Sequence, residues 1–319
     1  MTNEPREPRS TDDAGRPGAT PARYAHVLAW VAETPWAVLP SVLAVINDLL
    51  AYRAAGHRLD RSEVLARIGA APPSRPARAR AGAVAVLPLT GLIAHRASAF
   101  EDVSAPPGTS VQRFTVRFRE ALADPDVAAI LIDVDSPGGA VDGVAELAAE
   151  IAAARGRKPI VAVANTLAAS AAYWIATQAD ELVVSPSAEV GSIGVFAAHQ
   201  EFSRMDERIG VTTTLISAGK FKTEANPYEP LTDEARAAIQ ARVDDYYRMF
   251  VDAVARGRGV TAAAVRSGFG EGRVVGARDA VGLGMADRVA TFDETLARLR
   301  AGRRPRRRRA TARHRFSFA

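Results

Sequence analysis

Three short segments hold residues that could do chemistry together. The first, NTLAASAAYW over 165–174, sets one serine, Ser170, among small residues where an apolar run at 159–164 gives way to a helical pattern. A substrate backbone can approach such a serine closely, and a helix N-terminus favours a developing anion. The second, DSPGGA over 135–140, follows the apolar run 128–134 and precedes a helical pattern. Paired glycines let a ligand approach and expose main-chain amides, which is how an oxyanion hole is built from backbone. The third, SAGKFKTEANPYEP over 217–230, offers Lys220 and Lys222 after the β-type run Thr212–Ile216. A lysine acts as a general base where burial disfavours its ammonium form, and a Ser–Lys pair is a known variant of serine catalysis.

Each segment alone has a plainer reading. A serine after a strand is commonly a helix cap, a Gly-Gly pair a turn, and a lone lysine a solvated charge. The five histidines, His26, His57, His95, His199 and His314, offer no better base, because none sits where small residues would admit a substrate. There is no cysteine, which excludes disulfides, thiol nucleophiles and Cys-ligated zinc and fits a reducing compartment. No HxxxH or GxxxxGK[ST] spacing occurs, and Asp133 and Asp135 next to Pro-Gly-Gly read as turn residues rather than metal ligands. No cofactor or metal is expected.

The elements that must position these residues follow from periodicity. Residues 1–20 are polar and Pro/Gly-rich and read as disordered, with no signal peptide. Residues 21–70 show helical spacing, with Val38, Leu39, Val42, Leu43, Val45, Ile46, Leu49 and Leu50 on one stripe and a second short helix at Asp60–Ile68. A Pro/Arg/Ala linker covers 71–82. From residue 83 to 300, short β-rich runs alternate with helices. Strands are expected at Val84–Leu87, Ala128–Val134, Pro159–Ala164, Leu182–Val184, Gly194–Ala197, Thr212–Ile216 and Ala286–Val289. Helices are expected at Val111–Ala123, Val141–Ala154, from Ser170, near Glu201–Ile209 and at Thr232–Gly257. That alternation implies an α/β domain of mostly parallel buried strands.

Residues 301–319 form an Arg-rich tail, expected to be disordered. The chain's formal charge is +5, and eight arginines lie between Arg303 and Arg315, so without them it is −3. Such an arm suits weak contact with nucleic acid or an acidic partner. No run of eighteen apolar residues occurs, so no membrane span is predicted.

In this order and setting, four motifs resemble the signal peptide peptidase A family of serine peptidases. They are the SPGG turn (Asp135 to Gly139), AASAAYWIA (Ala168 to Ala176), VGSIGV (Val190 to Val195), and GKFK followed by NPYEPLT (Gly219 to Thr232). The resemblance implies a Clp protease/crotonase-like spiral of β-β-α units, here preceded by a small helical segment. It implies Ser170 as nucleophile, Lys222 as general base with Lys220 the alternative, and Gly139, shaped by Gly138, as the oxyanion hole. Ala171, Gly191 and Ser192 are candidate substrate contacts; Ala171-Ala172 stand where many members carry Gly-Gly. The helical segment, with AETPWA over 32–37, is similar to the phage and prophage head-maturation branch. The resemblance therefore implies a Ser–Lys serine endopeptidase of capsid maturation. It would be a homo-oligomer in host cytoplasm or prohead, acting on protein or peptide and meeting capsid, portal or scaffold proteins. Alternatives are a catalytically idle assembly protein, a cellular enzyme degrading signal-type peptides, and an acyl-CoA hydratase or isomerase of the same fold, which would leave Ser170 and Lys222 without roles.

Overall fold

The computed structural model describes residues 34–44, 47–48, 83–96 and 108–302. The expected disordered start, the Asp60–Ile68 helix, the 71–82 linker and the arginine tail lie outside the described residues.

The molecule is mixed α/β, and its strands pair mostly in parallel. Two successive units set the pattern. Strand β2 (Ala83–Thr90), short strands β3 (Ile93–Ala94) and β4 (Thr109–Ser110), and helix α1 (Val111–Ala123) form the first. Strand β5 (Val127–Ser136), short strand β6 (Gly138–Ala140) and helix α2 (Val144–Ala154) form the second. The long strands β2 and β5 lie side by side in parallel, and so do the short strands β3 and β6 in a second sheet. That repeated step is a β-β-α spiral. A third long strand, β7 (Ile160–Ala169), pairs in parallel with β5 and leads into helix α3 (Ala171–Ala176). Beyond β7, strand β8 (Glu181–Val184) pairs with its first half and β9 (Glu189–Gly191) with its second.

Alternation within the long strands divides the core. Ile130, Ile132, Val134, Ile160, Ala162 and Ala164 face the helices of the larger core, with Phe114, Phe118, Leu147 and Ile151. Leu131, Val161, Val163 and Val183 face the other way and are covered by Phe292, Leu296 and Leu299 of the helix Phe292–Arg300. Both faces of the central strands are thus apolar, as buried parallel strands require.

A long helix, Asp233–Arg258, starts with a Thr232 cap whose hydroxyl accepts from Ala235 N and ends at Gly259 in the left-handed region. Its C-terminal half is anchored. Phe250 stacks on Trp174 at 4.7 Å between ring centroids, and the buried Arg258 pairs with Asp287 at 2.8 Å.

Three sequence expectations differ from the structure. Trp36–Val38 is a strand, β1, joined antiparallel to β6, while residues 40–44 are helical. The apolar spacing that reads as one helix from Val38 therefore starts inside a strand. Thr212–Ile216 is not a strand; it is largely exposed and irregular, and among the described residues no strand pairs with it. Gly194–Ala197 is reduced to a single bridge between Phe196 and Trp36.

Candidate active site

Ser170 stands at the junction of β7 and α3. Its backbone is held at φ 55°, ψ −118°, a region costly for a residue with a Cβ. Two contacts hold it there. Its N–H donates to Gly191 O at 2.7 Å, and its own carbonyl accepts from Trp174 N at 2.9 Å. The side chain is therefore not a helix cap: it makes no capping bond to α3. Its hydroxyl instead donates to Gly194 O at 3.5 Å. Ser170 is 1% exposed, and α3, which follows it, is only six residues long.

The Gly138–Gly139 turn lies against Ser170. The Ser136 hydroxyl donates to Gly91 O at 2.6 Å and accepts from Gly138 N at 3.2 Å, which fixes the turn. Gly138 has φ +98°, and a Cβ built on it would lie 3.0 Å from Ser170 Cβ. At Gly139 a Cβ would lie 1.9 Å from Ile93 O, because β6 is held between β1 and β3. The structure thus brings the Gly-Gly turn against Ser170, as an oxyanion hole would need. Ser136 is a site-shaping residue that sequence reasoning passed over; its place immediately before Pro-Gly-Gly was the available signal.

The remaining candidates are placed differently. Ala171 is buried in the core at the start of α3. Gly191, at φ +119°, uses its carbonyl to hold Ser170 in place. Ser192, at φ 53°, donates its N–H to Arg273 O at 2.8 Å. Lys222 sits on an exposed stretch between the helix Ser203–Arg208 and the long helix. Among the described residues its ammonium has no hydrogen-bond or ion-pair partner, and no hydrogen bond joins it to Ser170. Lys220 is engaged: it pairs with Glu234 at 3.1 Å and lies 4.4 Å above the Phe221 ring. The dry cleft expected around Lys222 is not formed by the single chain.

The same stretch is rich in uncovered apolar side chains, including Met205, Ile209, Leu215, Phe221 and Ile216, the last 96% exposed. Burial of this kind of surface favours association.

The site thus combines a buried serine on a strained strand-to-helix junction with a Gly-Gly turn facing it, in a mostly parallel α/β body. Residues 152–304 match the model of peptidase family S49. Ser170, Gly191, Ser192 and Lys222 fall inside that range, and Gly138 and Gly139 precede it. The chain is 34% identical over 217 residues to capsid assembly protease C of Escherichia phage lambda, covering 68% of this chain and 48% of that protein. It is 31% identical over 255 residues to head-tail preconnector protein GP5 of Enterobacteria phage P21, covering 80% and 50%. The putative signal peptide peptidase SppA of Enterococcus faecium is 30% identical over 190 residues, covering 59% and 55%. The chain spans about half the length of these curated relatives. A solved mutant of the 1510-N membrane-bound stomatin-specific protease superposes with a TM-score of 0.41 at 15% identity, over 70% of this chain and 86% of that one. The family match and the phage relatives agree with the resemblance read from the four motifs.

Proposed function

We propose that the chain is a serine endopeptidase of phage or prophage head maturation, with Ser170 as nucleophile and Lys222 as general base. The observation that carries this reading is the placement of Ser170: a serine held at φ 55° with the Gly138–Gly139 turn against its Cβ. The neutral amine of Lys222 takes the hydroxyl proton as Oγ bonds to the substrate carbonyl carbon. The oxyanion accepts from the Gly139 amide. Collapse expels the amine half of the substrate, which receives the proton from Lys222, and water then releases the acyl group by the same route. The names of the lambda and P21 relatives support a role in head assembly, with capsid, portal or scaffold protein as substrate or partner.

A neutral lysine needs dry surroundings. Lys222 lies on the apolar exposed stretch, so we place the working site in a homo-oligomer, where a second copy covers that stretch. No helix among the described residues is long and apolar enough to cross a membrane, which suits action in the cytoplasm or prohead. The arginine tail is left for weak contact with nucleic acid.

The test is hydrolysis of a denatured protein by the purified chain. Ser170→Ala and Lys222→Ala are each expected to lower the rate by roughly 10³-fold or more; variants as fast as the wild type overturn the assignment. The exposure of Lys222 favours a second reading, a catalytically idle assembly protein. That reading requires a wild type with no hydrolysis as an isolated chain or as an assembled oligomer.

A further inference from the structure

Strand β1 lies where a substrate strand would have to lie. On one edge it pairs antiparallel with β6, in the register Trp36↔Ala140, Ala37↔Gly139 and Val38↔Gly138. On its other edge Trp36 exchanges both main-chain bonds with Phe196, at 2.8 and 3.0 Å. Phe196 immediately follows the Val190–Val195 run that holds Ser170. The segment is sealed in, with Trp36 and Ala37 0% exposed and Val38 2%.

The register places one carbonyl at the chemistry. Leu39 N donates to Pro137 O at 3.0 Å, and Val141 N donates to Pro35 O at 3.3 Å. Hydrogen-bonded pairs alternate along an antiparallel ladder, so the intervening pair, Ala37↔Gly139, is of the mutually bonded kind. That aims the Gly139 N–H at Ala37 O. A Cβ on Gly138 would sit 2.2 Å from Ala37 O and 3.0 Å from Ser170 Cβ, so this oxygen and the serine flank the same point. The Gly138 N–H is already used by Ser136, which leaves the Gly139 amide as the anion donor and Ala37 O as its occupant.

We propose that residues 34–38 are a built-in pseudo-substrate: a strand of the chain itself that fills the substrate groove with the Ala37 carbonyl at the oxyanion position. The proposal rests on the Ser170–Gly139 reading of the site. Recognition is by strand addition, where main-chain bonds give affinity and side-chain pockets give choice. The segment belongs to the same chain as the groove, which keeps it at high effective concentration there. A substrate must displace it, and the strand that does so presents a small residue where Ala37 lies. The proposal also accounts for a buried nucleophile in a chain whose general base is still exposed: the single chain is shut.

The test separates groove occupancy from hydrolysis by using full-length Ser170→Ala protein, which binds without turnover. A fluorescent synthetic peptide carrying residues 33–39 is titrated into this parent, and into the same protein with Ala37→Pro or with Trp36→Ala. The proline removes the Ala37 N–H from the ladder, and the alanine empties the Trp36 site. Because apparent affinity scales with the open fraction, both variants are expected to bind the peptide about tenfold or more tightly than the parent. The peptide with proline in place of alanine at position 37 is expected not to bind. Folded variants with no gain in affinity overturn the proposal. So does loss of the thermal unfolding transition in both, which would make β1 a fixed part of the core. Failure of the peptidase reading shows separately, as an absence of hydrolysis by wild type with or without these substitutions.

Discussion

Ser170 adopts a backbone conformation that stability opposes. At φ 55°, ψ −118° a residue with a Cβ is strained by about 1–3 kcal/mol. Glycine would relieve that strain and costs about 0.5–1 kcal/mol in unfolded-chain entropy. The hydroxyl contributes little in return, since its bond to Gly194 O is long at 3.5 Å. The strain is the larger effect. Ser170→Gly is therefore expected to melt no lower than the wild type while losing hydrolysis, measured by calorimetry beside the activity assay. A clear fall in melting temperature would mean that Ser170 is a structural residue. The two glycines opposite it are fixed by contact instead: Gly139 has Ile93 O where its Cβ would be, and Gly138 has Ala37 O.

At the scale of elements, the C-terminal ends of the central strands carry polar side chains on the face that the C-terminal helix leaves uncovered. Asp133 on β5 is half-buried beside Asn165 of β7, whose Nδ2 lies 3.4 Å away. Burial pushes its carboxyl pKa up, Asn165 pulls it partly back, and neighbouring Asp135 adds to the rise. Folded Asp133 thus holds its proton to higher pH than the unfolded chain does. Its contribution to stability is full below the ordinary aspartate value of about 3.9 and is lost as pH rises through the raised folded value. Asp133→Asn removes this penalty. Its melting temperature is expected to exceed the wild type's at pH 7, and the difference to shrink at a pH near 3.5 or below. An advantage that does not change with pH would assign the effect to packing.

Across the whole molecule, the contrast is between a sealed body and an uncovered stretch. Ser170, the Gly-Gly turn and β1 are buried, whereas residues 203–230 carry Met205, Ile209, Ile216 and Phe221 to solvent, more than half exposed in each case. If a second copy covers this surface, a charge there should prevent association. Ile216→Lys is expected to reduce the mass seen by light scattering to that of one 33.8 kDa chain, and hydrolysis is expected to fall with it. An unchanged mass would place the interface elsewhere; a single-chain mass with full activity would show that Lys222 needs no second copy.

The sequence by itself determined most of the elements and singled out the residues proposed for the chemistry. Helix Val111–Ala123 has the expected bounds, and the three long parallel strands fall where continuous apolar runs demand burial on both faces. Ser170, Gly138–Gly139 and Lys222 were legible from small residues and punctuation at element ends. Only the tertiary structure decided which of them meet. It set Gly138 against Ser170, left Lys222 in solvent, and turned the start of an apparent helix into the strand that pairs with the Gly-Gly turn. The physical reason is range. Helical spacing and turn chemistry act over a few residues and are written in side chains. The pairing of Ala37 with Gly139 is made by backbone groups about a hundred residues apart, and those groups are alike in every residue except proline.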